Sequence, residues 1–358
     1  MSKRQAGLTT QTGLQVMAVS QVPTDPKGNV IADLYVRIPT LDRYVLFVHE
    51  GEKLDEEKMK KLYLHPDPKL YGSKDKLKKN RKKTLNATIN AKDDDPNKLG
   101  AETQELITDL YLDLLEDNNP SESQIKKLGS IVHEITENIL SDTKSFEDNI
   151  LKQFKDLSRM EDSYAIRSLT TLFGLANGYS SKRAMIDIQG ASMFMDINLL
   201  DFRKDDIEEY YKNPEGWPSG FLKLYMQHPA KANLMATMKL PDLSETGLQM
   251  ILNHHEYNNG EGFPRGTRTK SLPDLVKILS LAVDVFQILK RQELLNNPSN
   301  IPDALMEAAQ NHREVHERRH QGNIVDRIFS YMAIDAAQKK IIYEKTLANI
   351  HKKLRKGG

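Results

Sequence analysis

The sequence predicts a mainly α-helical protein that begins with a small α/β domain. Two observations indicate this fold class. Short runs of β-branched and aromatic residues, separated by turn residues, occur in roughly the first 85 positions. From about residue 100 onward, apolar residues recur at the spacing of a helical face instead. The 358 residues are enough for two or three domains with cores of their own.

The α/β domain is expected over residues 1–90. Its predicted strands cover 14–19, 34–38 and 44–48, and a further strand is predicted to end near Leu70 and Tyr71. A helix is predicted over 55–62, because acidic residues occupy its first turn and lysines its last, as the helix dipole favours.

Three further segments are expected: a helical linker over 91–150, a helical domain over 151–330 and a C-terminal helix over 331–358. In the linker, leucines at 106, 110 and 114 and isoleucines at 131, 135 and 139 recur at helical spacing. The basic run over 74–83 is interpreted as a solvated helix end or linker rather than a phosphate or nucleic-acid contact, because charge runs usually mark exposed segments.

The composition narrows the classes of function. Fifty-one basic and 50 acidic residues leave a formal charge of +1, so no global field favours a nucleic-acid polymer or a membrane as partner. The absence of cysteine removes disulfides and thiolate sites, so a metal would be held by His, Asp and Glu, which suit iron, manganese or zinc. No signal-peptide pattern and no apolar run near 18 residues is found, and a cytoplasmic location is expected.

The segment 254–266 carries the strongest functional signal. His254, His255 and Glu256 precede a turn-rich stretch that contains Gly260, Gly262, Pro264 and Gly266. Adjacent imidazoles and a carboxylate before such a turn are typical of a helix end that presents metal ligands beside a tightly shaped loop. The alternative is a polar helix cap with incidental histidines.

These residues resemble the signature of the HD-GYP family of bacterial cyclic-di-GMP phosphodiesterases. The match runs through His254, His255, Glu256, Gly260, Gly262, Pro264 and Gly266. Phe263 stands where the family has tyrosine, and Asn259 where it has aspartate. The resemblance implies an HD-type helical bundle whose metal ligands project inward from several helices.

The resemblance also implies further ligands. His228, followed by Pro229, is similar to the family's helical His-Pro element, although His228 alone is as easily a polar helix-end residue. Asp284 lies in an almost wholly apolar stretch, where a buried carboxylate needs a cation or hydrogen bonds. We expect it to be a ligand, with a hydrogen-bonded aspartate as the alternative.

The His-Asp doublet of the family is altered in this chain. Asp196 keeps the aspartate while Met195 replaces the histidine, and Asp187 is a rival candidate for the aspartate. Asp162, or else Glu161, falls where the family has an upstream histidine. The implied metal ligands are therefore Asp162, Asp196, His228, His254, His255 and Asp284, and the implied catalytic residues are Asp196, Glu256 and Arg265.

Activity and metal number stay open at this stage. Asp196 and the three histidines can hold one divalent cation, whereas a second ion, making a binuclear centre, needs Asp284 and an upstream carboxylate. Met195, Leu199, Phe263 and Gln287 are departures from the family that weaken the expectation of turnover. Iron or manganese is expected.

Three hypotheses follow from the resemblance. The first is a metal-dependent phosphodiesterase that hydrolyses cyclic-di-GMP or a related nucleotide with a metal-activated water. The second is a catalytically weak receptor or protein-interaction module in bacterial signalling, and the third is a scaffold without metal. A homodimer is included among the expected partners. His312, His316 and His320 share one helical face, which we interpret as solvated rather than zinc-binding because Arg and Glu crowd it.

Overall fold

The structure is a computed structural model that describes residues 8–9, 13–73, 122–141, 162–240, 242–292, 300–310, 319–332 and 341. It is mainly helical with a small antiparallel sheet near the N-terminus, which confirms the predicted fold class. The helices of the described residues are α1 Glu56–Tyr63, α2 Glu122–Ser141, α3 Asp162–Ala176, α4 Lys182–Phe194, α5 Lys204–Lys212, α6 Ser219–Lys239, α7 Glu245–Asn253, α8 Asp274–Arg291, α9 Ile301–Gln310 and α10 Gly322–Tyr331.

The chain divides into two compact units. Unit 1 comprises Met1–Ser121 and Ile197–His228, and unit 2 comprises Glu122–Asp196 and Pro229–Gly358. The third change of unit falls inside α6, between His228 and Pro229. The division into four segments expected from the sequence stays a prediction.

Unit 1 contains a five-stranded sheet. Its strands are β1 Leu8–Thr9, β2 Leu14–Met17, β3 Leu34–Ile38, β4 Arg43–Val48 and β5 Leu70–Ser73, in the order β1-β4-β3-β5-β2. The four strand pairings of this sheet are antiparallel, with Val36 opposite Val45 and Val16 opposite Tyr71. The three predicted strands are confirmed, and the fourth begins rather than ends near Leu70.

Helix α1 forms where the charge pattern predicts it. Asp55 caps its N-terminus by accepting a hydrogen bond from the Lys58 backbone N–H at 2.9 Å. The helix buries Met59, Leu62 and Tyr63. Within unit 1, the Tyr63 hydroxyl donates to Asp206 Oδ2 on α5 at 2.5 Å, so this buried hydroxyl is satisfied.

Unit 2 is a helical unit in which α8 is a deeply buried helix. Nearly every α8 side chain from Leu275 to Leu289 is buried, and the helix contacts α3, α7 and α9. This confirms that the apolar stretch around Asp284 is an interior helix. Ser244 caps the N-terminus of α7, and its backbone N–H and hydroxyl both donate to Asp187 of α4.

No helix in the described part of the chain is both long enough and apolar enough to span a membrane. Several predictions lie outside the described residues: the basic run 74–83, the leucines at 106, 110 and 114, the C-terminal helix near 335–354, and Glu161, His312 and His316.

Candidate metal site

His228 lies in the interior of α6, one residue before Pro229. A proline has no backbone N–H, so Pro229 leaves the carbonyl four residues earlier, that of Tyr225, without its helical donor. The His228 imidazole takes this place, with Nδ1 lying 2.5 Å from the Tyr225 carbonyl oxygen. The His-Pro sequence thus creates the hydrogen bond that orients the histidine.

His254 ends α7 and uses a similar device. Its Nδ1 lies 2.7 Å from the carbonyl oxygen of Ile251, in the last turn of the helix, where carbonyls lack intrahelical partners. A carbonyl only accepts hydrogen bonds, so the neutral imidazoles of His228 and His254 carry their proton on Nδ1. In both residues, Nε2 is therefore the atom with a lone pair for a cation.

The structure brings four predicted ligands together. Asp196, His228, His254 and His255 each offer one ligand atom, and these atoms all lie within 4.8 Å of one another. The three imidazoles are buried, whereas the Asp196 side chain keeps 21% of its surface exposed. The cluster is therefore desolvated on its histidine side and reachable at the carboxylate.

The donor set fits a divalent cation. His254 Nε2 lies 3.4 Å from Asp196 Oδ1. Ligand bonds of about 2.0–2.1 Å in a tetrahedral site place neighbouring ligand atoms roughly 3.4 Å apart. Without a cation, the lone pair of a neutral imidazole would face the negative carboxylate, which is unfavourable. A cation bound by both groups makes the same arrangement favourable. Three imidazoles and one carboxylate suit iron, manganese or zinc.

Glu256 organises the loop that follows the paired histidines. Its carboxylate is fully buried, and it accepts backbone N–H bonds from Arg265 and Thr267, each at 2.7 Å. Ser280 of α8 donates its hydroxyl to the Glu256 carbonyl at 2.9 Å. Glu256 therefore fixes the loop to the start of the motif, and both of its carboxylate oxygens are in use.

The glycine-rich loop needs its glycines for two different reasons. Gly260 and Gly266 adopt positive φ angles of 83° and 64°, where other residues are strained. At Gly262, a Cβ would lie 2.2 Å from the His255 carbonyl oxygen, so only hydrogen fits there. The neighbouring Phe263 stacks on the His255 ring with centroids 4.3 Å apart. This contact uses the aromatic face, which phenylalanine supplies without a hydroxyl.

Asp284 is placed differently from the four clustered residues. It is buried in α8, with Oδ2 lying 3.0 Å from His320 Nε2 and Oδ1 lying 3.6 Å from an Arg319 guanidinium nitrogen. Burial raises the pKa of the Asp284 carboxyl, but the His320 hydrogen bond and the Arg319 charge lower it by more, so the pKa lies below its ordinary value. Asp284 is thus the hydrogen-bonded aspartate that the sequence offered as an alternative, and its ligand role stays a prediction.

Asp162 and Met195 also have defined environments. Asp162, at the start of α3, accepts a hydrogen bond from Lys290 Nζ at 2.6 Å. Met195 is completely buried, and its backbone N–H bonds the Ala191 carbonyl at the end of α4. Asp187, the rival of Asp196, accepts from Arg183 as well as from Ser244 and is committed to holding α4 and α7 together.

Two residues of this region were not recognised as parts of it. His320 is buried against Asp284, so its interpretation as part of a solvated face is wrong. Arg319 accepts the Asn258 backbone N–H at its carbonyl and lies over the Tyr257 ring. The sequence signal was weak, because both residues follow Asp284 by about 35 positions in a segment crowded with charge. Arg265, which was predicted to be catalytic, is exposed. Its backbone N–H donates to the Glu256 carboxylate.

The sequence family described as HD domain matches residues 134–316, which is just over half of the chain. The chain therefore belongs to the HD domain family, and the recognition of an HD-type protein is confirmed. Its Asp and His cluster supports the coarser prediction of a metal-dependent hydrolase of that type.

Among solved structures, the chain is similar to the HDG"Y"P protein Bd1817 from Bdellovibrio bacteriovorus. The two share 15% sequence identity with a TM-score of 0.49, over 89% of this chain and 99% of the other. A likeness of this degree says nothing about function. No curated protein matches the sequence.

Proposed function

We propose that this protein is a metal-dependent phosphodiesterase-class domain that acts on or binds cyclic-di-GMP or a related nucleotide. The observation that carries the proposal is the convergence of four side chains whose ligand atoms all lie within 4.8 Å of one another: Asp196, His228, His254 and His255. Membership of the HD domain family and the motif at 254–266 support the reaction class and the nucleotide.

The protein's own residues supply a preorganised site. The Tyr225 and Ile251 carbonyls hold two imidazoles with Nε2 directed away from the helix backbone that binds Nδ1. A bound divalent cation supplies Lewis acidity toward a phosphoryl oxygen and activates a water at neutral pH. Asp196 balances positive charge and is the ligand side chain nearest solvent, while Glu256 positions the loop and Arg265 offers an exposed guanidinium to phosphate.

A second candidate function is a receptor that binds the nucleotide without consuming it. Two observations favour it. Met195 places a buried thioether where the family resemblance expects a histidine, and thioethers are poor ligands for hard cations. Asp284 already bonds His320, and Asp162 already pairs with Lys290, so two carboxylates wanted for a second ion have other partners. One ion per chain is therefore proposed, with iron or manganese as its identity.

A cytoplasmic location, protein partners in bacterial signalling and a homodimer are proposed with the function, on the family resemblance alone.

The test is elemental analysis of purified wild type, His254→Ala and Asp187→Asn. We expect about one iron or manganese ion per wild-type chain, a sharp loss in His254→Ala and no loss in Asp187→Asn, whose side chain binds Ser244 instead. Asp187→Asn controls for general destabilisation. Metal-free wild type, after growth and refolding with added metal, would overturn the proposal.

The same preparations separate the enzyme from the receptor. The metal-loaded protein is mixed with a known excess of cyclic-di-GMP, and the nucleotide is quantified over time. Turnover that chelation abolishes and added metal restores identifies an enzyme. Stoichiometric binding with the nucleotide recovered intact identifies a receptor. Neither binding nor turnover would remove cyclic-di-GMP from the proposal.

A further inference from the structure

Arg319 is held directly against the loop that follows the paired histidines. Its carbonyl oxygen accepts the Asn258 backbone N–H at 2.8 Å. Its guanidinium carbon lies 4.6 Å from the centre of the Tyr257 ring, a cation–π contact. Both contacts fall within three residues of His255, so the position of Arg319 is tied to the metal site although the two are distant in sequence.

Arg319 interacts electrostatically with the carboxylates of Asp284 and Glu261, but its hydrogen-bond donors are not all used. The closest carboxylate is that of Asp284, at 3.6 Å, which is beyond a good hydrogen bond. The other Asp284 oxygen bonds His320. Within the described residues, the buried Nε of Arg319 has no hydrogen-bond acceptor. A buried N–H donor without a partner is unfavourable, so the surrounding described residues leave this one donor of the guanidinium unsatisfied.

Arg203 shows what a structural arginine looks like in the same chain. Its Nε and one terminal nitrogen donate to the two oxygens of Asp206, and its other terminal nitrogen donates to the Leu54 carbonyl at 2.8 Å. That guanidinium is satisfied on every nitrogen. Among the described residues, Arg319 has only the longer Asp284 contact for its side-chain nitrogens, and 28% of its side chain remains exposed. Its arrangement is that of an arginine placed for a ligand rather than for the fold.

We infer that Arg319 donates to a phosphate oxygen of the bound phosphodiester, with Tyr257 and Asp284 acting as the residues that position it. The inference rests on the proposed function, because the loop and its paired histidines locate the ligand. A guanidinium stays charged throughout the physiological pH range and presents paired N–H donors that match phosphate oxygens. The loose contact with Asp284 holds the side chain without using all of its donors.

The experiment compares wild type, Arg319→Gln, Arg319→Lys and Arg327→Gln, all loaded with the metal found by elemental analysis. Arg327 is an exposed arginine on α10, outside the loop, and its replacement provides the same charge change. Calorimetry with cyclic-di-GMP under non-turnover conditions gives the dissociation constant, and metal content and the thermal midpoint are measured on each protein.

We expect Arg319→Gln to bind cyclic-di-GMP about 10- to 100-fold more weakly while keeping its metal content, since a charge-assisted hydrogen bond is lost. Arg319→Lys keeps a point charge beside Asp284 and is expected to bind several-fold more weakly. Arg327→Gln is expected to match wild type. If Arg319 had a purely structural role, Arg319→Gln would lower the thermal midpoint, and cyclic-di-GMP affinity would not fall while metal content stayed unchanged.

The outcomes distinguish failure of the role of Arg319 from failure of the proposed function. Wild-type affinity in a folded, metal-loaded Arg319→Gln overturns the role of Arg319 and leaves the proposed function intact. If Arg319→Gln does not fold, wild-type affinity in Arg319→Lys overturns it instead. If metal-loaded wild type does not bind cyclic-di-GMP, the proposed function fails and the inference fails with it.

Discussion

Replacing Gly262 with alanine tests whether the glycine-rich loop maintains the metal site. The added Cβ would lie 2.2 Å from the His255 carbonyl oxygen, 2.6 Å from Glu256 Cα and 2.7 Å from the Tyr257 nitrogen. All three neighbours are backbone atoms, so no side-chain rotation relieves the clash. The loop must move away from the very residues that connect His255 to the rest of the motif.

The size of the effect follows from these contacts. Overpacking of this kind costs about 1–3 kcal/mol in unfolding free energy. If the loop moves far enough to break the Glu256 bonds to the Arg265 and Thr267 amides, each charge-assisted bond adds about 1.5–3 kcal/mol. We therefore expect a loss of about 1–3 kcal/mol if both bonds hold and about 4–9 kcal/mol if both break. Displacement of His255 is expected to weaken metal binding by about 10–100-fold, as loss of supporting contacts around ligands does.

Two assays check this prediction. Urea unfolding of metal-free protein gives the stability change, and competition with a chromogenic chelator gives the metal affinity. Gly129→Ala is the matched control, because its Cβ would make only an ordinary 3.6 Å contact with Asp242 and a helical alanine is favoured by up to about 1 kcal/mol. Wild-type stability and metal affinity in Gly262→Ala would refute the reasoning.

Three other predictions follow from single contacts. Asp187→Asn should lower the free energy of unfolding in urea by about 1–3 kcal/mol with unchanged metal content. Asp196→Asn should lose metal in elemental analysis. The reverse pattern would show that Asp187 is the ligand. Glu256→Gln turns an amide N–H toward a loop N–H, so it should lower the free energy of unfolding by about 1.5–3 kcal/mol in urea. A near-neutral result would show that the buried bonds from the Arg265 and Thr267 amides do not stabilise the loop. Among the described residues, His320→Ala leaves the Asp284 carboxylate with its 3.6 Å contact to Arg319 alone. This substitution should cost about 3–5 kcal/mol in urea unfolding, which an unchanged midpoint would contradict.

The local parts of the site could be predicted from the sequence. The paired histidines, Glu256 and the glycines lie within 13 consecutive residues, so their spacing alone specifies a helix end followed by a shaped loop. Asp196 and His228 are distant from that motif, and only the family resemblance joined them to it. The structure places both in the same cluster. The strands and α1 were also predictable, because alternating burial and capping are local properties.

The environment of Asp284 could not be predicted in the same way. Its apolar helix showed that the carboxylate would be buried and would need compensation, which is correct. Whether a cation or a neighbouring residue compensates it depends on which segment packs against α8. His320 and Arg319 come from a charged segment about 35 residues later, and no periodicity in the sequence brings them to Asp284. The many charged residues of that segment suggested that it is exposed to solvent, whereas tertiary packing buries His320.

The two oriented imidazoles explain the local sequence around His228 and His254. A helix interior normally uses every carbonyl, so a histidine there has no backbone acceptor for Nδ1. Pro229 frees the Tyr225 carbonyl for His228, and the end of α7 frees the Ile251 carbonyl for His254. Each histidine therefore stands where a helix carbonyl lacks its donor, which fixes Nδ1 as the protonated nitrogen and leaves Nε2 for a cation. Replacing Pro229 with alanine would return the donor to Tyr225 and remove this constraint from His228 while leaving that of His254 in place.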